Sequence, residues 1–182
     1  MTCGNGNNQF FGKYRGTVAN NNDPEHKGRI QALVPDVLGP IPTTWATACV
    51  PITGLQSGIY AVPSVGASVW MEFEHGDPDF PIWSGCFWAS TAEVPVPAMT
   101  PPSPPVGEAM SNIVLQTVGQ NTIMMGGLPA TGLIISCGPP MSPTSPGIMI
   151  TPAGIIISDG KGGGIAIAGG TVAVNNGALI IK

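Results

Sequence analysis

Eight short apolar triplets recur through the C-terminal part of the chain, each beside a glycine or a turn. They occupy residues 113–115, 123–125, 133–135, 148–150, 155–157, 165–167, 172–174 and 179–181. The last five triplets begin 7, 10, 7 and 7 residues apart. A short, nearly constant period of this kind indicates a stacked β architecture. A single-chain solenoid is one solution, but steps of seven residues leave little chain for a wide coil, so three chains around one axis are favoured.

Alternation along a strand divides each triplet between two faces. The two outer side chains point to one side and the middle one to the other. Strands of three residues cannot bury a face or complete their ladders alone. We therefore predict that three chains wind around one axis, that neighbouring chains complete each ladder, and that Gly-rich corners at residues 160–164 and 169–170 allow the bends. The predicted trimer core consists of Ile148, Ile150, Ile155, Ile157, Ile165, Ile167, Val172 and Val174.

The first half of the sequence predicts a small β-barrel. Strand patterns cover residues 12–18, 28–34, 67–74 and 80–88, with turn clusters at 20–24 and 75–79. No strong helical period is present, and about five short strands in some 80 residues are typical of a small closed sheet. Val69, Met71 and Phe73 share one face of their strand, and large aromatic residues are expected to fill the interior.

Composition changes abruptly between the halves. Every aromatic residue lies between Phe10 and Trp88, and between Ala109 and Lys182 only Asp159, Lys161 and Lys182 are charged. The seam at residues 93–105 is rich in proline and predicts an extended, semi-rigid spacer. The expected organisation is a tail at 1–9, a barrel at 10–89, a linker at 90–109 and the stacked strands at 110–182.

Charge and hydrophobicity exclude some classes of protein. The chain is 43% hydrophobic with a net charge of −4, which opposes disorder despite its many glycines and prolines. Weak acidity argues against nucleic-acid binding through phosphate neutralisation. We find no signal peptide and no apolar run near the ~20 residues that cross a bilayer, so synthesis in the bacterial cytoplasm is expected. The four cysteines are too far apart for a zinc site and are interpreted as reduced, mostly buried thiols.

Two groups of acidic residues could carry chemistry, and each also has a simpler explanation. Glu72 and Glu74 share a strand face, as paired glycosidase carboxylates do, but a polar outer face or a trimer contact explains them equally. His75, Asp77 and Asp79 could bind a metal, although the neighbouring glycine and prolines favour a turn.

Four basic residues and one glycine run could likewise have either a binding role or a purely structural one. Lys13, Arg15, Lys27 and Arg29 could form a nucleic-acid-binding face, or they could be solvated residues and salt links. Residues 160–164 are Gly-rich like a phosphate loop but lack the GxxxxGK[ST] pattern, so a corner is favoured. No catalytic residues are assigned.

Six segments of the first half, taken in order, closely resemble the phage baseplate assembly protein V family. They are GKYRGTV (12–18), DP (23–24), GRIQALVP (28–35), PSVG (63–66), FEHGDP (73–78) and PIWSG (81–85). The resemblance implies an all-β chain, with an N-terminal OB-fold barrel followed by an intertwined trimeric β-helix, or β-prism, needle. The resemblance of the second half is architectural.

The resemblance also implies partners. It predicts a homotrimer, a trimeric baseplate hub at the OB end, transient contact with a target membrane, and no nucleic acid. A tip protein of the PAAR type is expected at the C-terminal end, on Asn175, Asn176, Leu179, Ile180, Ile181 and Lys182. Family members with a lysozyme domain carry it where this chain has only its spacer, so no muramidase is expected. The needle lacks the His-x-His motif that binds an apical iron in some members, so no metal or cofactor is expected.

These observations predict a non-enzymatic central spike of a contractile tail or injection machine, located in a virion tail baseplate or an assembled extracellular particle. The spike would join the tube and hub to a membrane-piercing tip. Alternatives are an OB-fold oligonucleotide- or oligosaccharide-binding protein with a fibrous tail, a β-solenoid adhesin, and a spike carrying a muramidase.

Overall fold

The structure of the chain is a computed structural model, and it describes residues 9–99, 112–128, 130–139, 142, 144–175 and 178–181. The chain divides into two compact units, Met1–Thr91 and Ala92–Lys182. Strands dominate both units, and each α-helix in the described residues is a single turn. The predicted all-β class is therefore confirmed.

The N-terminal unit is built around a curled five-stranded sheet with the order β2-β1-β6-β7-β3. The bounds are β1 Tyr14–Asn20, β2 Gln31–Leu33, α1 Pro35–Leu38, β3 Thr47–Ala48, β4 Thr53–Gly54, β5 Ser57–Gly58, β6 Ser68–Phe73 and β7 Pro81–Cys86. All neighbouring strands in the sheet are antiparallel except β3 and β7, which are parallel. Strands β4 and β5 form a separate hairpin. This arrangement is the barrel of an OB-fold.

Alternation builds the core of this unit as predicted along β6. Val69, Met71 and Phe73 are buried there, whereas Trp70 and Glu72 between them are only half-buried. The rest of the buried core is mainly aliphatic, and the partly buried rings of Phe10 and Tyr14 pack against it. Phe73 and Trp83 are the buried aromatic residues among those described.

The proline-rich seam differs from the extended spacer that the sequence predicts. A 3₁₀ turn covers Thr91–Glu93, and α2 covers Val96–Met99. The Ala98 N–H donates to the Pro95 carbonyl oxygen at 2.8 Å. Proline is compatible with the first turn of a helix, because its missing N–H would be unpaired there anyway. The rest of the seam, residues 100–105, lies outside the described residues.

The C-terminal unit contains an eight-stranded sheet in which the strands lie in sequence order. They are β8 Ile113–Gln116, β9 Thr122–Met125, β10 Leu133–Ser136, β11 Gly147–Thr151, β12 Gly154–Ser158, β13 Gly164–Ala168, β14 Thr171–Val174 and β15 Leu179–Ile181. Each predicted triplet falls on one strand. Each strand pairs antiparallel with the next, which makes the sheet a simple meander.

This pairing corrects the prediction that neighbouring chains complete the ladders, because the ladder hydrogen bonds run between successive strands of one chain. The connections are short enough to reverse the chain locally. Two of them have only two residues, at 152–153 and 169–170. In the second, Gly169 and Gly170 both have positive φ, at 57° and 77°. Positive φ at both positions is the geometry of the type I′ turns that join antiparallel strands. Isolated triplets would lack partners, but consecutive hairpins supply them.

No helix in the part of the chain that the structure describes is long and apolar enough to cross a membrane.

Candidate functional site

Two continuous apolar rows run across one face of the C-terminal sheet. Strand register places the outer residues of successive triplets opposite one another, so that Ile148 is opposite Ile157 and Ile155 is opposite Ile167. One row contains Leu115, Ile123, Ile135, Ile148, Ile157, Ile165, Val174 and Leu179. The other contains Ile113, Met125, Leu133, Ile150, Ile155, Ile167 and Val172. We call these two rows the apolar face.

The apolar face lies open in the single chain. Leu115 is 66% exposed, Ile113 57% and Leu179 55%. On the opposite face, two middle residues of the triplets are buried, with Met124 3% and Ile134 5% exposed, whereas the middle residue Ile156 is 49% exposed. That opposite face also carries small or polar residues at the strand ends. An open apolar surface as long as the apolar face marks an interaction site.

All eight residues of the predicted trimer core lie on the apolar face. Ile148, Ile150, Ile155, Ile157, Ile165 and Ile167 are each 36–42% exposed. Val172 and Val174 are half-buried on β14 and lie opposite Ile167 and Ile165. The structure thus brings these residues together on one surface.

Three of the predicted tip-binding residues, Leu179, Ile180 and Ile181, form the last strand of the described sheet. Leu179 is exposed, and the backbones of Ile180 and Ile181 pair with β14. Asn175 has a positive φ of 47°, and its side-chain oxygen accepts the Gly164 N–H at 3.1 Å. Asn176 and Lys182 lie outside the described residues. Strand β15 pairs with β14 and with no other strand in the described sheet.

The strongest electrostatic feature of the N-terminal unit is the carboxylate of Asp23. It is 4% exposed and accepts hydrogen bonds from the backbone N–H groups of Glu25, Lys27 and Arg29. The Arg29 side chain donates to the same carboxylate at 2.6 and 3.1 Å. The Arg29 guanidinium holds the pKa of Asp23 well below its usual range, with the backbone donors adding to the effect. This cluster holds the loop between β1 and β2 in place.

The four basic residues of the N-terminal unit all have partners within it. Lys13 pairs with Glu72 at 2.7 Å, and Lys27 pairs with Glu25 at 2.6 Å. Arg29 is held by Asp23. The Arg15 guanidinium lies 5.6 Å from the centroid of the Trp70 ring and 5.1 Å from that of Phe87. These contacts are the salt links and packed cations of a protein surface.

The acidic candidates lie on the last part of β6 and in the turn that follows it. Glu72 lies on β6, but Glu74 begins a 3₁₀ turn, so the predicted shared strand face is wrong. His75 lies within that turn with φ 53°, and Asp77 accepts the Asp79 N–H at 3.0 Å. Among the described residues, no group of three His, Cys, Asp or Glu side chains could hold a metal ion.

The glycine run is the turn between β12 and β13. Asp159 accepts the N–H groups of Lys161 and Gly163 at 2.7 and 2.9 Å. The Lys161 N–H is the main cause that lowers the pKa of the Asp159 carboxyl. The side chain of Asp159 therefore closes the turn from within, as a corner requires.

Three of the cysteines, Cys49, Cys86 and Cys137, are free and exposed. This corrects the expectation of buried thiols, which rested on the average behaviour of cysteine. Cys3 lies outside the described residues.

The sequence did not predict one exposed apolar surface of the N-terminal unit, which lies at the hairpin of β4 and β5. The hairpin of β4 and β5 exposes several apolar side chains and borders a groove of about 440 Å³. Residues 37–71 contain no charged residue and no histidine. That uncharged run was the available signal, because the cores of protein interfaces are depleted in charge.

Comparison with known proteins agrees with this division of the chain. Residues 14–88 match the type VI secretion system/phage-baseplate injector OB domain, and residues 112–180 match the phage baseplate V C-terminal trimerisation domain. No curated protein matches the chain. An OB barrel joined to a sheet with an open apolar face defines a self-associating structural protein of a tail or injector. The chain belongs to the phage baseplate assembly protein V family, and its role is in the baseplate spike.

Proposed function

We propose that three copies of this chain form the central spike that joins the baseplate hub, at the OB end, to a membrane-piercing tip. The observation that carries this proposal is the apolar face, whose two rows cross a sheet of eight strands. The trimerisation domain spans the same strands. We further infer that the protein is a mechanical part and not an enzyme.

The apolar face is suited to the inside of a three-sided assembly. Each copy would contribute one sheet and turn its two rows of Ile, Leu, Met and Val towards the axis. Six isoleucines of the predicted core remain 36–42% exposed in one chain. Burying the exposed part of these six side chains would stabilise the trimer by roughly 1 kcal/mol for each side chain. Because no charged residue lies on these rows, nothing has to be desolvated or paired at the axis.

The free edge of β15 supports a tip-binding role for the end of the sheet. Its outer backbone groups pair with no strand in the described sheet. The unpaired N–H and C=O groups of an open strand edge can form hydrogen bonds with a strand of another protein. Asn175, Asn176, Leu179, Ile180, Ile181 and Lys182 are the residues that we propose contact a PAAR-type tip protein.

The same unit gives little support to an OB-fold that binds oligonucleotides. The four basic residues of the barrel are paired or stacked against its own side chains. Neutralising phosphates would first require those contacts to break. A spike in a baseplate needs no such surface.

Ile157→Asp and Ile156→Asp test the orientation of the sheet with two adjacent isoleucines of one strand. Ile157 is 42% exposed on the apolar face, and Ile156 is 49% exposed on the opposite face. We expect Ile157→Asp to yield monomers and Ile156→Asp to remain trimeric, because only the first places three carboxylates at the axis. Light scattering of the full-length chain measures the mass of each variant.

The proposal fails if both variants are trimeric. It also fails if Ile156→Asp alone is monomeric, because the opposite face would then be the one buried.

A further inference from the structure

A leucine stands at the tip of a tight hairpin in the N-terminal unit. Thr53 pairs with Gly58 and Gly54 with Ser57, so Leu55 and Gln56 form the two-residue turn. Leu55 is 97% exposed, and Gln56 has a positive φ of 51°. Turn tips ordinarily carry Gly, Pro, Asn, Asp or Ser. The leucine side chain therefore contributes nothing to the packing of its own chain.

The hairpin borders an apolar groove on the same unit. Ile52, Ile59 and Tyr60 are 61%, 53% and 69% exposed. The groove of about 440 Å³ is lined by Ala48, Val50, Ile59, Tyr60, Val62 and Trp83, among others. The Trp83 indole N–H already donates to the Gly28 carbonyl oxygen at 3.0 Å. The indole N–H of Trp83 is therefore already paired and needs no hydrogen-bond acceptor from a ligand. The volume of the groove is large enough for an aliphatic side chain.

Leu55 lies in the uncharged run of residues 37–71. So does most of the groove lining, to which Lys27, Gly28 and Trp83 are added from outside that run. A ring of three identical chains requires a heterologous interface, in which one patch of each copy meets a different patch of the next. Leu55 and the groove are two such patches, and every copy supplies one of each. The trimerisation domain would hold the three N-terminal units at an effective concentration near the millimolar range, where even a small contact is occupied.

We propose that Leu55 of one copy inserts into the groove of the neighbouring copy, so that the three N-terminal units form a closed ring. The proposal rests on the homotrimer of the proposed function, but it assigns a second interface to residues outside the trimerisation domain. Tyr60 and Trp83 would form the walls that receive the leucine.

Photocrosslinking in the full-length chain tests the contact. One copy carries p-benzoylphenylalanine in place of Leu55 and one affinity tag, and a co-expressed unmodified copy carries another tag. We expect irradiation to give a covalent product with both tags, and peptide mapping to place the link within residues 48–62 or at Trp83. Because Leu55 is 97% exposed, the replacement leaves the fold of each chain intact.

The matched control places the same probe at Ile41, which is 65% exposed in the same unit and does not line the groove. The control should give severalfold less doubly tagged product. If light scattering shows a trimer but position 55 links only within one copy, to a co-purifying protein, or not at all, the ring contact is wrong and the trimer stands. If the protein is monomeric, both proposals fail.

Discussion

At the scale of single residues, Asp23 shows how a loop in an OB barrel is held. Its carboxylate accepts three backbone N–H groups and the Arg29 guanidinium while almost fully buried. The sequence predicted only a turn at residues 20–24. The backbone N–H groups and the one guanidinium that bind Asp23 come from positions up to six residues further along the chain, and a local turn pattern does not report them.

Asp23→Asn should lower the melting temperature of the N-terminal unit by at least several degrees at pH 7. The pKa of Asp23 is lower in the folded chain than the value of about 3.9 in an unfolded one. Its stabilising contribution is therefore complete above that value and is lost as pH falls towards the folded pKa. Thermal unfolding at pH 7 and pH 3 should show a smaller difference between wild type and variant at pH 3.

Asp36→Asn is the matched control, because Asp36 is an exposed carboxylate in the first turn of α1. It should change the melting temperature little at either pH. An equal loss for Asp23→Asn at both pH values would show that the charge of Asp23 is not what stabilises the loop.

At the scale of elements, the C-terminal sheet is tied together along its edges as well as through its ladders. Asn121 accepts the Gly138 N–H at 3.1 Å, Asn112 accepts the Gly127 N–H at 2.8 Å, and Asn175 accepts the Gly164 N–H. Asn121 and Gly138 lie in two successive connections on one edge of the meander, whereas Asn112 directly precedes β8 and Gly164 is the first residue of β13. Strands of three to five residues thus gain support beyond their own hydrogen bonds.

Gly154→Ala should destabilise the sheet far more than Gly170→Ala. Both glycines have positive φ, at 146° and 77°, so both substitutions strain the backbone, a cost of about 1–2 kcal/mol. A Cβ at Gly170 meets nothing within 4 Å, whereas one at Gly154 would overlap the Ile167 carbonyl oxygen on the neighbouring strand. Chemical denaturation of the full-length chain measures the difference, and similar midpoints for the two variants would contradict this arrangement of β12 and β13.

At the scale of the whole molecule, an association driven by the apolar face should depend little on salt. From Ala109 to Lys182 the only charged residues are Asp159, Lys161 and Lys182. Salt weakens contacts between exposed charges but not the burial of apolar surface. Forming the trimer is therefore expected to bury apolar surface and to create few or no ion pairs, so its stability should change little with salt.

Light scattering should give a mass near three times the 18.5 kDa of one chain, and the same mass in about 1 M NaCl. Resistance of the trimer to SDS would agree with an interface of this length. A mass of one chain, or dissociation as salt is raised, would contradict an apolar trimer axis.

The sequence by itself determined the alternation and the composition of this protein. The eight triplets, the two faces that they create and the change in composition between the halves are local or additive properties of the chain, and all are present in the structure. The family resemblance of the first half also follows from local motifs, and the match to residues 14–88 confirms it.

Only the tertiary structure decided which strands become partners. Side-chain alternation is identical whether a triplet pairs with its own chain or with another, so the period could not show that the ladders are intramolecular. The same holds for the Leu55 hairpin and for the exposed cysteines, because the position of a side chain on the surface depends on residues distant in sequence. Pairing and exposure are non-local, and a sequence pattern reports only what neighbouring residues impose on one another.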